Sequence, residues 1–314
     1  MGVPARAVGL ALGYAADLAF ADPRRAHPVA GFGQLSSALE RACWADDRTR
    51  GAGYTGVLVG TITGMGWVAE RATRGRPLPE AAIVALATWA VLGGRSLARE
   101  GSVMSRLLDS DDLPAARDRL SHLCARDATG LPTDDLARAS VESLAENTSD
   151  AVVAPLLWGA VAGVPGLLGY RAVNTLDAMV GYRCDRYRQF GWASARLDDL
   201  VNLVPARLAA ALTVAAAPLV GGRPGEAWRI WRRDAYRHPS PNAGPVEAAS
   251  AGALGVVLGG SSTYDGVSED RGTLGDGRAV AVADLPRSVR LSRAVGFGAM
   301  LVAVGVSLMR RRRG

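Results

Sequence analysis

Six stretches of this chain carry almost no charge: Val3 to Ala21, Gly53 to Ala69, Leu78 to Gly94, Ala151 to Tyr170, Leu208 to Gly222 and Ala294 to Met309. Each approaches the roughly 20 apolar residues that a helix needs to cross a bilayer. Hydrophobic residues make up 49% of the 314 and charged residues 21%, with the charges gathered between the apolar stretches. In lipid every backbone N–H and C=O must be satisfied within the chain, which leaves helices as the spanning element for runs like these. The expected class is therefore all-α: one integral membrane domain over residues 1–314, a multi-pass helical bundle. Asp17, inside the first stretch, is expected to face the protein interior.

The stretches are not uniform. Pro155 and Pro165 interrupt the fourth, beside Gly159 and Gly163, and Pro218 interrupts the fifth. If all six spanned, the two central groups of polar motifs would fall on opposite faces of the membrane. Ala151 to Tyr170 or Leu208 to Gly222 is thus expected to be re-entrant, broken, or packed inside the protein around a polar site. Gly56, Gly60 and Gly64 make two overlapping GxxxG steps, which let a second helix pack closely and suggest a homodimer contact.

Between the apolar stretches two segments read differently. Residues 95–138 mix both signs of charge with Leu97, Val103, Met104, Leu107 and Leu108 at helical spacing, a soluble helical insert. Asp112 followed by Leu113-Pro114 reads as a helix start there. Residues 223–293 open with an amphipathic helix from Glu226 to Tyr236, whose Trp228 and Trp231 suit a membrane surface. A glycine-rich segment from Gly255 to Gly277 follows, either a binding loop or a solvated hairpin.

The polar residues concentrate from Ser140 to Arg207. Glu142, Glu146 and Asp150 are spaced i, i+4 and i+8, so on a helix they share one face. Such acids repel one another unless something positive lies between them, and a divalent cation such as Mg²⁺ suits hard oxygen ligands. The competing reading, a solvated acidic face, is weakened by the uncharged run that follows at once. Asn174, Asp177 and Gly181 share a second face. Asp198, Asp199 and Asn202 lie within a turn of one another, just before Pro205 and Arg207. Asp22-Pro23 and His27-Pro28 make a stiff extended loop. Asn242 and Gly244 precede a helix start at Pro245.

Composition removes several chemistries. Every basic residue is Arg, so no P-loop lysine and no Schiff-base lysine exists, and a phosphate must be held by Arg, backbone N–H groups or a metal. The net charge of +6 owes much to the terminal arginine run, which reads as a membrane anchor. Nucleic acid is not expected as a partner. The three cysteines are scattered with no CxxC, and no HExxH, GxSxG or GxGxxG falls in a useful context.

Five motifs then occur in order: DPxxxHPV from Asp22, AENTSD from Ala145, NTLDAMVGY from Asn174, FGWASARLDDLVNLVPARL from Phe190 and SPNAG from Ser240. Together they resemble the CobD/CbiB family of cobalamin biosynthesis, the adenosylcobinamide-phosphate synthases. One departure is Asp150-Ala151, where the family pattern has Asp-Gly. The resemblance implies a multi-pass enzyme of the cell membrane with its active site facing the cytoplasm. It implies an ATP- and Mg²⁺-dependent carbon–nitrogen ligase, joining the carboxylate of adenosylcobyric acid to (R)-1-amino-2-propanol or its O-phosphate. Glu142, Glu146, Asp150, Asp177, Asp198 and Asp199 are then candidate Mg²⁺ ligands. His27, Glu146 and Asp177 are candidate catalytic groups, and His27 or an unligated acid could take the amine proton. Arg171, Arg183, Arg186 and Arg207 are candidate phosphate clamps, and Asn147, Asn174 and Asn242 candidate substrate contacts. The expected partners are the corrinoid, the aminopropanol compound and membrane lipid. A transporter, or a membrane signalling protein of the AmpE type without ligase activity, fits the apolar and polar pattern equally well. Neither gives a reason for the HPV and SPNAG loops.

Overall fold

A computed structural model of the chain describes residues 5–21, 28–182, 184–264 and 267–311. His27 and Arg183 lie outside the described residues. The helices are α1 (Ala5–Phe20), α2 (Pro28–Cys43), α3 (Arg48–Thr73), α4 (Pro77–Val91), α5 (Gly94–Asp109), α6 (Leu113–Leu120), α7 (Thr133–Thr148), α8 (Ala154–Val180), α9 (Trp192–Ala216), α10 (Pro224–Asp234), α11 (Ala243–Leu254) and α12 (Asp284–Arg311). A π-helical turn, Ser149–Val153, joins α7 to α8. Among the described residues the strands form one antiparallel hairpin, β1 (Leu258–Tyr264) with β2 (Val267–Leu274), which resolves the glycine-rich segment as a hairpin.

Among the described residues, four helical stretches are long and apolar enough to cross a membrane: Pro77–Asp109, Thr133–Val180, Trp192–Val220 and Asp284–Met309. This is a membrane protein of the all-α class, built of helices apart from that hairpin. The first two apolar stretches fall short of that standard. α1 has only 16 residues, and α3, though 26 residues long, is diluted by glycine and threonine.

The chain forms two compact units, residues 1–93, 154–202 and 300–314 in one and 94–153 with 203–299 in the other. In the first, α1 packs on α4 and α3 on α8. The α1–α4 approach depends on glycine, since a Cβ at Gly9 would lie 2.6 Å from the Cβ of Val84. Tyr54, Leu58, Leu176, Val180 and Phe190 form a buried cluster, with the Tyr54 and Phe190 rings 5.0 Å apart. The broken helix expected near the prolines is present. α8 breaks at Gly163, whose φ of 70° and ψ of −146° are not helical, two residues before Pro165. Pro155 lies within the continuous stretch Thr133–Val180, just after the π turn, where the regular helical ladder is already interrupted.

In the second unit, α5 packs against α6 and α7, and α11 packs against α7 and α10. The Asp112 side chain caps α6 by accepting the Ala115 N–H at 3.2 Å, as its sequence suggested. The segment read as a soluble insert thus begins with α5, but its helices belong to a larger unit that includes the start of the motif-bearing helix. Trp228 and Trp231 of α10 meet edge to face at 5.1 Å.

Candidate functional site

α7 carries the start of the AENTSD motif, and the hairpin approaches its acidic face from both strands. Glu142 is wholly buried. Its carboxylate accepts the backbone N–H of Gly259 in β1 at 2.7 Å, Arg126 at 2.7 Å and Arg138 at 3.2 Å. Arg138 also donates to the Gly259 carbonyl. Gly259 and Gly260 both have φ of +82°, next to a bulge in the strand register, a backbone that glycine adopts without strain. That local shape turns both polar groups of Gly259 towards α7.

One turn further along α7, Glu146 is 41% exposed, and its carboxylate lies 3.8 Å from Arg271 of β2. Arg271 is itself held from behind. Its Nη2 donates to Glu247 of α11 at 2.8 Å and its Nε to His238 Nε2 at 2.8 Å. On the other side of the ring, His238 Nδ1 faces the Ser240 backbone, its N–H at 3.0 Å and its carbonyl at 3.4 Å. Burial, and then the Arg271 charge, push the His238 pKa down to about 4. Glu247 has no exposed surface. Burial raises its carboxyl pKa, Glu142 and Glu146 add to that, and Arg271 pulls against it. Asn147 donates to the carbonyls of Leu123 and Ser143 at 3.0 and 2.9 Å, tying the loop after α6 to α7. Arg207 and Asn242 meet within this unit, guanidinium to amide oxygen at 3.0 Å.

The first unit holds a separate polar network on α8 and α9. Tyr170 donates to Asn202 at 2.9 Å, Asn202 to Asp198 at 2.9 Å, and Asn174 to the other oxygen of Asp198 at 3.5 Å. Arg171 reaches the Asn174 amide oxygen at 3.4 Å. The Asp177 carboxylate lies over Gly181, where any Cβ would collide with it. Asp199 pairs loosely with Arg196 at 3.7 Å. Arg186 is committed elsewhere in this unit, to Glu40 at 2.9 Å and over the Trp44 ring at 4.9 Å.

Asp150 sits in the π turn, a distortion that recurs at functional sites. The helical face that was expected to carry Glu142, Glu146 and Asp150 together is interrupted there. Among the described residues no group of three or more His, Cys, Asp or Glu is gathered so as to hold a metal ion. The Glu142 carboxylate is taken up by two arginines and a backbone amide.

Residues 10–292 match the family described as CobD/Cbib protein. The chain belongs to the CobD/CbiB family. It is 55% identical over 308 residues to a protein of Mycobacterium tuberculosis named cobalamin biosynthesis protein CobD, covering 98% of this chain and 97% of that one. Proteins of the same name from Geobacter metallireducens and Rhodobacter capsulatus are 47% and 41% identical, over 83% and 96% of this chain and 83% and 95% of theirs. No solved structure matches the chain. Several residues of this CobD/CbiB chain were missed as site candidates: Arg126, Arg138, His238, Glu247 and Arg271. His238 and Glu247 flank the SPNAG motif and carried a local signal. Arg271 carried none, because only strand pairing brings it to α7.

Proposed function

We propose that the chain is the ATP-dependent ligase that joins adenosylcobyric acid to (R)-1-amino-2-propanol or its O-phosphate in cobalamin biosynthesis. Family membership across residues 10–292 is the observation that carries this reading. A carboxylate resists amine attack until a better leaving group is attached. Transfer of the γ-phosphoryl of ATP to the carboxylate oxygen releases ADP. The amine nitrogen then attacks the acyl carbon, phosphate leaves, and the amine proton passes to a base. Mg²⁺, when bound, neutralises charge on the phosphates. It commonly takes only one or two protein carboxylates, with phosphate oxygens and water completing its shell. Glu146 for the metal with Arg207 for the phosphates in one unit, or Asp198 with Arg171 in the other, each suit those parts. We assign the enzyme to the cell membrane, with the site on the cytoplasmic side where ATP is found. A homodimer contact is proposed on the α3 face bearing Gly56, Gly60 and Gly64.

The test uses membranes containing the full chain, with adenosylcobyric acid, ATP and Mg²⁺, and aminopropanol phosphate or the free amine. Mass spectrometry reads the amide. Product that needs both ATP and this protein is expected. No product with either amine, from membranes shown to hold folded protein, overturns the ligase reading in favour of signalling or transport.

A further inference from the structure

Glu142 and Glu146 lie one helical turn apart on α7, yet the hairpin treats them differently. β1 offers Glu142 a backbone N–H at 2.7 Å and closes it in. β2 offers Glu146 a guanidinium at 3.8 Å and leaves it open to solvent. The guanidinium is fixed at two points, by Glu247 and by His238, each at 2.8 Å. Burying an arginine against a fully buried acid is a poor way to stabilise a fold, since a well-packed apolar pair often does as well or better. Here the buried pair ends at the half-exposed acid of the AENTSD motif.

We propose that Arg271 is a positioning residue for Glu146, with Glu247 and His238 holding its guanidinium in place. This rests on the ligase reading, in which Glu146 is a working carboxylate. The planar fork suits the task. Nε is spent on His238, whose neutral ring accepts it, and Nη2 is spent on Glu247, so rotation about the side chain is stopped at both points. Nη2 faces Glu146 from that fixed plane and limits where its carboxylate settles. The hairpin thereby becomes a clamp on α7, with Gly259 setting the helix at Glu142 and Arg271 setting the side chain at Glu146. Misplacement of a reacting group by about 1 Å costs on the order of 100-fold in rate, which sets the expected size of the effect.

The experiment measures kcat and KM in membranes for the wild type, Arg271→Lys, the double variant Arg271→Met with Glu247→Gln, Glu146→Gln, and Glu146→Gln added to that double variant. Removing Arg271 and Glu247 together avoids leaving one buried charge alone, and thermal unfolding in detergent checks folding of each protein. The double variant is expected to lose about 100-fold in kcat with KM for ATP and corrinoid within about threefold. Arg271→Lys, which keeps the charge without the fork, is expected to fall between. Adding Glu146→Gln to the double variant should cost little more, because residues that act as a unit are not additive. Losses that multiply would overturn the assignment, as would a raised KM with unchanged kcat, or a folded double variant with wild-type turnover. In each of those cases an active wild type leaves the ligase reading standing. A wild type without ATP-dependent product overturns both.

Discussion

Glu70 of α3 caps a break inside α8: its Oε2 accepts the Val164 N–H at 2.7 Å. The same carboxylate pairs with Arg6 at 2.7 Å, and Arg6 reaches the Ala160 carbonyl at 3.5 Å. The two ends exposed by the break therefore meet charges of the sign their dipoles favour. Glu70→Ala is expected to destabilise the protein by about 1–3 kcal/mol, the cost of leaving a sheltered N–H without a partner. Glu70→Gln, which keeps an acceptor, should lose less. Gly163→Ala should cost about 1–3 kcal/mol, because the alanine meets a φ of 70° and its Cβ falls on the Glu70 carboxylate. Thermal unfolding in detergent measures all three, and equal stability of wild type and Glu70→Ala would remove the cap.

The two acids of α7 should separate stability from activity. Glu142→Gln takes the counter-charge from Arg126, which is 3% exposed and 2.7 Å away. A buried charge stripped of its partner costs about 3–5 kcal/mol, so this variant should unfold far more easily. Glu146→Gln alters a half-exposed side chain and should stay within about 0.5 kcal/mol of wild type while losing amide formation. Unfolding curves and the product assay on the same preparations test the contrast. A stable Glu142→Gln, or an active Glu146→Gln, contradicts it.

His238 should impose a pH slope on stability. Its folded pKa lies at about 4 against an ordinary 6.5, because burial and then the facing Arg271 disfavour the imidazolium, with Glu142 and the Ser240 backbone acting weakly the other way. The unfolded chain thus takes up the proton first as pH falls. Stability from the neutral ring is complete above pH 6.5 and declines as pH drops towards 4, by about 3 kcal/mol at most. Glu247 acts in the opposite sense, since its raised pKa removes stability as pH rises. The comparison is therefore wild type against His238→Gln, whose amide oxygen still accepts from Arg271. The difference in unfolding free energy should shrink or reverse between pH 6.5 and 4, and parallel curves would show that the ring does not titrate in this way.

What could be read from the chain follows the range of the interactions involved. The broken α8 was legible because Gly163 and Pro165 act through their own backbone torsions. The α6 cap and the amphipathic α10 were legible for the same reason. The acids of Ser140 to Arg207 were visible as residues, but their spacing misled. A regular helix puts Glu142, Glu146 and Asp150 in one line, whereas the π turn at Ser149–Val153 interrupts it and two arginines absorb Glu142. Arg126 does not announce itself, lying 16 residues from Glu142 in a loop, whereas Arg138 stands one turn before Glu142 on α7, a spacing that was legible but not used. Arg271 and Glu247 were hidden because a hairpin and a separate helix bring them to α7. The hairpin was left open between two readings, since glycine at positive φ serves a binding loop and a strand bulge equally.

The glycines of α3 supply the last test. Gly56, Gly60 and Gly64 looked like the packing face of a membrane helix, but a Cβ at any of them meets nothing within 4 Å. Other α3 glycines pack inside the unit: a Cβ at Gly51 would fall on the Phe190 carbonyl, and one at Gly66 would lie 3.0 Å from the Pro165 Cα of α8. One helix therefore carries two glycine faces, one closed within the unit and one open. Gly66→Leu forces side-chain atoms against the α8 backbone and should cost about 1–3 kcal/mol, as overpacking does. Gly60→Leu should leave stability within about 0.5 kcal/mol, yet a leucine there prevents the close helix approach that GxxxG spacing permits. Cross-linking in native membranes should detect a dimer for the wild type and for Gly66→Leu that folds, and lose it for Gly60→Leu. A dimer that survives both Gly56→Leu and Gly60→Leu places the contact on another face of the protein.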